Sequence, residues 1–93
     1  MSTFTDTLEL EEVVLKELLV DQHKLILHND DFNTFDFVID TLVDVCGHSV
    51  VQAEQCAHIV HFNGKCDVKR GSKKQLEAPY KILQTKGLSV TIE

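Results

Sequence analysis

Stop signals at short intervals constrain this chain more than any other feature of its sequence. The apolar run His23-Lys24-Leu25-Ile26-Leu27-His28 halts at Asn29-Asp30-Asp31, and Gly47, Gly64, Gly71 and Gly87 follow. Asn and Asp favour turns because their side chains bond nearby backbone, and Gly tolerates the left-handed conformation that ends a helix. A chain cut this way builds short strands and helices. None of its pieces reaches the ~20 apolar residues of a membrane span.

The period of the apolar residues separates helix from strand. His23–His28 reads as a strand ending in turn chemistry. From 34 to 46, Val38, Leu42, Val45 and Cys46 keep helical spacing, with Asn33 or Thr34 able to cap the start, Asp36 in the first turn and Gly47 at the end. Ser49-Val50-Val51-Gln52 fits a capping box, and the helix behind it sets Ala53, Cys56, Ala57 and Val60 on one face before stopping at Asn63-Gly64. Residues 65–70 alternate like a strand with one wet face, and Gly71 turns the chain. A third helix is predicted over 72–86, with Leu76, Tyr80 and Leu83 on one side, Pro79 marking a kink or a late start, and Gly87 ending it. Residues 88–92 alternate as the last strand. The order predicts a two-layer α+β domain, β-α-α-β-α-β, with a three-stranded sheet covered by three helices.

Residues 1–22 read apart from this core at 23–93. A polar start precedes an acidic, leucine-rich stretch from Leu8 to Val20, short for a helix without a partner. A flexible N-terminal extension is predicted, with a plain solvated terminus as the equal alternative.

Charge narrows the function classes. Fifteen acids against nine bases leave the 93-residue chain at −6, the wrong sign for binding a phosphate backbone, so no nucleic-acid partner is expected. Residues 1–6 lack the order of a secretory signal. Cys46, Cys56 and Cys66 are odd in number and form no C-x-x-C pair, which fits a reducing compartment. A soluble, cytoplasmic monomer with no membrane partner is expected.

Three groups of residues carry possible chemistry. Asn29-Asp30-Asp31 is either a turn and capping cluster or a place where adjacent acids attract a cation. Val60-His61 closes the second helix, where an imidazole can favour the dipole or, when neutral, accept a hydrogen bond from an ammonium group. Cys56, His58 and His61, with His48 and Cys66 near in sequence, form one loose group rather than the paired clusters of a zinc site, so no metal or other cofactor is expected. There is no G-x-S-x-G elbow, no glycine-rich phosphate loop and no H-E-x-x-H. Ser49 and Ser72 are explained as caps and Ser89 lies in a strand, so no enzyme is expected.

Two motifs together carry a resemblance. Leu25-Ile26-Leu27-His28-Asn29-Asp30-Asp31-Phe32-Asn33-Thr34-Phe35-Asp36-Phe37-Val38-Ile39-Asp40 resembles the opening signature of the ClpS adaptors, and Ile59-Val60-His61-Phe62-Asn63-Gly64-Lys65 resembles their second. Residues 88–93 are similar to their closing strand. The likeness covers about 23–93. It implies a fold shared with the C-terminal domain of the ribosomal stalk protein L7/L12. It further implies a non-enzymatic adaptor of the bacterial N-end rule pathway. Such an adaptor binds proteins whose first residue is Leu, Phe, Tyr or Trp (N-degrons) and delivers them to a Clp-type AAA+ unfoldase with its ClpP peptidase. The unfoldase contact implied is the N-terminal domain of a ClpA- or ClpC-like partner. Carried over by position, the resemblance assigns the substrate α-amino group to Asn29, Asp30, Asp31 and His61. It assigns the first side chain to a pocket of Asn33, Phe35, Val38, Ala57, Val60 and Leu88. Asn33, Thr34, Phe35 and Ala57 stand where the family more often has Thr, Pro, Met and a larger residue. A stalk-like interaction domain without an amino-acid pocket is the alternative; a concave apolar pocket beside Asn29 and His61 separates the two.

Overall fold

Six elements form in the predicted order, each bounded by a local signal. A computed structural model describes residues 22–93, so the stretch from Leu8 to Val20 and nearly all of the predicted extension lie outside the described residues. The elements are β1 (His23–His28), α1 (Phe35–Cys46), α2 (Val50–Asn63), β2 (Lys65–Gly71), α3 (Lys73–Thr85) and β3 (Ser89–Ile92). Strand β1 is central, and both neighbours run antiparallel to it in the order β2-β1-β3. Beyond β3 the sheet is zipped further by Lys24 and Glu93, whose backbone N–H groups each donate to the other's carbonyl at 2.8 and 2.9 Å.

Alternation along β1 divides the sheet into two faces. Leu25 and Leu27 enter a core with Leu42 and Cys46 of α1, Ala53, Cys56 and Val60 of α2, Val68 of β2, Leu76 and Leu83 of α3, and Val90 of β3. Ile26 points the other way, between Asp67 and Thr91. All three helices thus contribute to the core on one side of the sheet, as the two-layer reading requires.

The helix ends explain the boundaries. Thr34 caps α1, its hydroxyl accepting from the Phe37 N–H at 3.1 Å. Gly47 and Gly64 close α1 and α2 at φ 70 and 93, where a Cβ is strained. At α2 the Ser49 hydroxyl accepts from the Gln52 N–H, half of the predicted box. The complete reciprocal box closes instead on α3, between Ser72 and Gln75. Gly71 belongs to β2 rather than to a turn. A Cβ there would sit 2.7 Å from Gln75 Oε1, the atom that accepts the Ser72 N–H. Helix α3 starts at Lys73 and runs through Pro79 to Thr85, so a late start is ruled out.

The alternation expected of β2 is interrupted. The register with β1 shifts between Leu25 and Ile26, which marks a bulge around Val68. His48, buried in the α1–α2 turn, lies with Nε2 2.6 Å from the Val68 carbonyl. A carbonyl only accepts, so Nε2 carries the proton and ties that turn to the bulge.

Candidate functional site

The turn after β1 is built around one carboxylate. Asp30 Oδ1 accepts the Phe32 N–H at 2.9 Å and the Asn33 N–H at 2.8 Å, and Oδ2 accepts the Asn33 side-chain amide at 2.7 Å. Burial alone would raise the Asp30 carboxyl; the bonds from Asn33 and Phe32 outweigh it and hold the group below the usual carboxylate range. Asp30 is therefore a turn anchor in this structure. Asn33 reaches further and donates to the Gly87 carbonyl at 3.0 Å, clamping this turn to the α3–β3 connection.

Two backbone bonds bring the distant motif alongside. The Gly64 N–H donates to the Val60 carbonyl at 2.9 Å, and the Asn29 N–H donates to the Gly64 carbonyl at 2.8 Å. The end of β1 is thus fastened to the end of α2, the turn that carries Val60 and His61. The Leu88 N–H donates to the Leu83 carbonyl at 3.1 Å, which fixes the third side of the opening.

Between these three segments lies a cleft of about 310 Å³, near the lower end of the ~300–1,000 Å³ of small-molecule sites. All ten residues singled out in the sequence line it. Val38, Ala57, Val60 and Leu88 form its apolar walls, the last three of them buried. Asn29, Asp30, Asp31 and His61 stand at its polar side, with Asn33 and Phe35 also on the lining. Leu27, His28 and Thr34 line it too. Sequence reasoning missed these three because Leu27 reads as core, His28 as a strand end and Thr34 as a cap. The hydrogen bonds of Asn33 add a clamping role to its place on the wall. No lysine or arginine is among the lining residues, so apolar walls stand beside carboxylates with no fixed positive charge, a combination that suits a cation with an apolar neighbour.

The ring of Phe35 rests against the imidazoles of His58 and His61, at centroid distances of 5.2 and 5.3 Å. The loose His/Cys group of the sequence does not converge: His48 turns into the fold, and His58 and His61 join this aromatic contact. Among the described residues no group of three or more His, Cys, Asp or Glu side chains is placed to hold a metal ion. Cys46, Cys56 and Cys66 are free thiols. Burial, the hydrogen bond with Cys56 and the nearby charge of Asp67 push the Cys66 thiol up to about 12. Among the described residues no helix is long and apolar enough to cross a membrane.

Comparison with known proteins bears on the family and the fold. A family model described as "ATP-dependent Clp protease adaptor protein ClpS" matches residues 20–91. The ATP-dependent Clp protease adapter protein ClpS of Synechocystis is 37% identical over 68 residues, covering 72% of this chain and 69% of that protein. The proteins of the same name from Erwinia tasmaniensis and Clostridium acetobutylicum are 42% and 43% identical over 43 and 42 residues, or 46% and 45% of this chain. Those two alignments span 41% and 42% of the relatives' own lengths. Among solved structures, Agrobacterium tumefaciens ClpS2 bound to L-phenylalaninamide superposes with a TM-score of 0.67 at 22% identity, covering 78% of this chain and 95% of that one. At that identity the superposition speaks for the fold.

Proposed function

This chain belongs to the ClpS family of Clp protease adaptors, and from that premise we propose that its cleft grips the free N-terminus of a substrate protein whose first residue is Leu, Phe, Tyr or Trp. The observation that carries the reading is the meeting of apolar walls and an electronegative, cation-free rim in one small opening. An α-amino group has a reference pKa near 7.7–8.0 and is mostly charged at neutral pH. Asn29 and a neutral His61 offer it acceptors, while Asp30 and Asp31 supply negative potential. Burying a Leu or Phe side chain between Val38, Ala57, Val60 and Leu88 contributes about 1.5–3 kcal/mol. A hydrogen bond to a charged group adds about 1.5–3 kcal/mol.

Discrimination against internal sequence follows from the same groups. An internal residue presents a neutral amide where the ammonium belongs, so the rim loses its charged partner. The bound chain is then delivered to a Clp-type AAA+ unfoldase, a ClpA- or ClpC-like partner reached through its N-terminal domain, with ClpP completing the degradation. The ClpS2 neighbour was solved with L-phenylalaninamide, a free amine on a bulky first side chain, which is the chemistry proposed here. A flat surface beside Asn29 and His61 would favour the stalk-like alternative; the cleft beside them supports the adaptor reading.

The test is a titration with two forms of one peptide beginning with Phe, its amine free or acetylated. The free form should bind about ten- to a hundredfold more tightly, the worth of one charged hydrogen bond. Equal affinities would refute the reading.

A further inference from the structure

Charge is divided along this chain, and the fold brings the two parts together. Residues 6–21 hold Asp6, Glu9, Glu11, Glu12, Glu17 and Asp21 against one base, Lys16. Five of the bases behind them, Lys24, Lys69, Arg70, Lys73 and Lys74, gather at the corner where β2 passes into α3. In the β1–β2 register His23 lies opposite Gly71 and Lys24 opposite Arg70, so the acidic segment joins the fold at this same corner. The corner's own carboxylates are Asp67, Glu77 and Glu93. Among the described residues Asp67 pairs with Arg70 at 2.8 Å, and the four lysines have no ion pair. Lys24, Lys73 and Lys74 are exposed.

The outer face of α3 continues the corner. Lys74, Ala78 and Ile82 stand four residues apart and so form one row, with Lys81 beside Ile82. All four are exposed, Ile82 by 46%. A surface that offers ammonium groups next to an apolar side chain suits a segment that mixes Glu with Leu and Val, as Leu8-Glu9-Leu10-Glu11-Glu12-Val13-Val14-Leu15 does. A phosphate backbone would match only the charge, and the chain's −6 repels it. Reach is sufficient in any conformation. Residues 6–21 span about 22 Å at a helical rise and about 50 Å extended, against about 12 Å from Lys74 to Ile82. We infer that residues 6–21 dock on this corner and along the Lys74–Ala78–Ile82 row of their own chain, carboxylates on Lys73 and Lys74 and apolar side chains on Ile82. Neither Lys74 nor Ile82 lines the cleft, so the docked segment and a peptide in the cleft use different residues.

The experiment follows backbone amide resonances of the full chain at about 0.01 M and about 1 M salt, where the Debye length falls from roughly 30 Å to roughly 3 Å. The readout is the change at Ala78 and Ile82 between the two salts. It should be present in the native chain, and lost when the segment is reversed by Glu9→Lys, Glu11→Lys and Glu12→Lys together. It should also be lost when the corner is reversed by Lys73→Glu with Lys74→Glu. Joining both reversals in one chain should restore it, because the opposite charges then meet again. About tenfold dilution should leave it unchanged, as a contact within one chain requires. A change no larger in the native chain than in either reversal would overturn the docking, and so would a joint variant that fails to regain it. A change that fades on dilution would hand the surface to the segment of a second copy and overturn the contact within one chain. Peptide binding plays no part in the readout, so failure of the adaptor reading would leave this result standing.

Discussion

Asn33 joins two loops with one amide. It donates to Asp30 Oδ2 and to the carbonyl of Gly87, 54 positions away. Removing it in Asn33→Ala strips both bonds, and the unfolding free energy should fall by about 1–3 kcal/mol in a urea titration. Asp30 adds a pH dependence of known sign. Its carboxyl is depressed in the fold, so its stabilisation is present above the ordinary carboxylate value near 3.9 and is lost as pH falls through the lower folded value. The thiols act in the opposite sense. Cys66 is raised to about 12, and Cys46 and Cys56 are also raised, chiefly by burial. Their contribution is intact below the ordinary thiol value near 8.5 and is lost as pH climbs from there towards 12. The urea midpoint should accordingly fall steeply between about pH 9 and 11, and a midpoint flat across that range would contradict the burial of these thiols. Residue identity made Asn29, Asp30 and His61 legible as polar candidates, and the family resemblance joined them into one group. The bond from Asn33 to Gly87 was not legible, because a backbone carbonyl leaves no mark in sequence.

The elements were legible for a different reason. Each helix end carries its own chemistry, so Thr34, Gly47, Asn63-Gly64, Ser72 and Gly87 mark boundaries without knowledge of the partners. What escaped depends on pairing across the sheet. The bulge opposite Leu25 is a property of register, and residues 65–70 read alone as an unbroken alternation. Likewise, the complete capping box forms at Ser72 with Gln75 and not at Ser49, though both serines precede a Gln at the same spacing. Two glycines separate stability from function at this scale. Gly47 and Gly64 both have positive φ and open space where a Cβ would go, so Ala at either position costs about 1–2 kcal/mol of strain. Only the Gly64 carbonyl holds Asn29 in place. Gly64→Ala should weaken binding of a free-amine Phe peptide as well as stability, whereas Gly47→Ala should lower stability and leave the affinity unchanged. Isothermal titration of both variants, paired with their thermal midpoints, checks this.

Across the whole molecule, three short segments distant in sequence meet at one opening: the end of β1, the end of α2 and the start of β3. The two signature motifs announce that meeting only as a pair, since neither Asn29-Asp30-Asp31 nor Val60-His61 says alone what lies opposite it. The sheet brings them together by placing β1 in the centre, so its C-terminal end reaches both the α2 cap and the loop before β3. The account's central claim is that this junction holds a free amine and its first side chain together. Backbone amide resonances followed by NMR during titration with L-phenylalaninamide test it most directly. The account predicts saturable shifts concentrated at Asn29, Asp30, Val60, His61 and Leu88, and their disappearance when the amine is acetylated. Shifts centred elsewhere on the fold, or the same shifts with the acetylated compound, would contradict it.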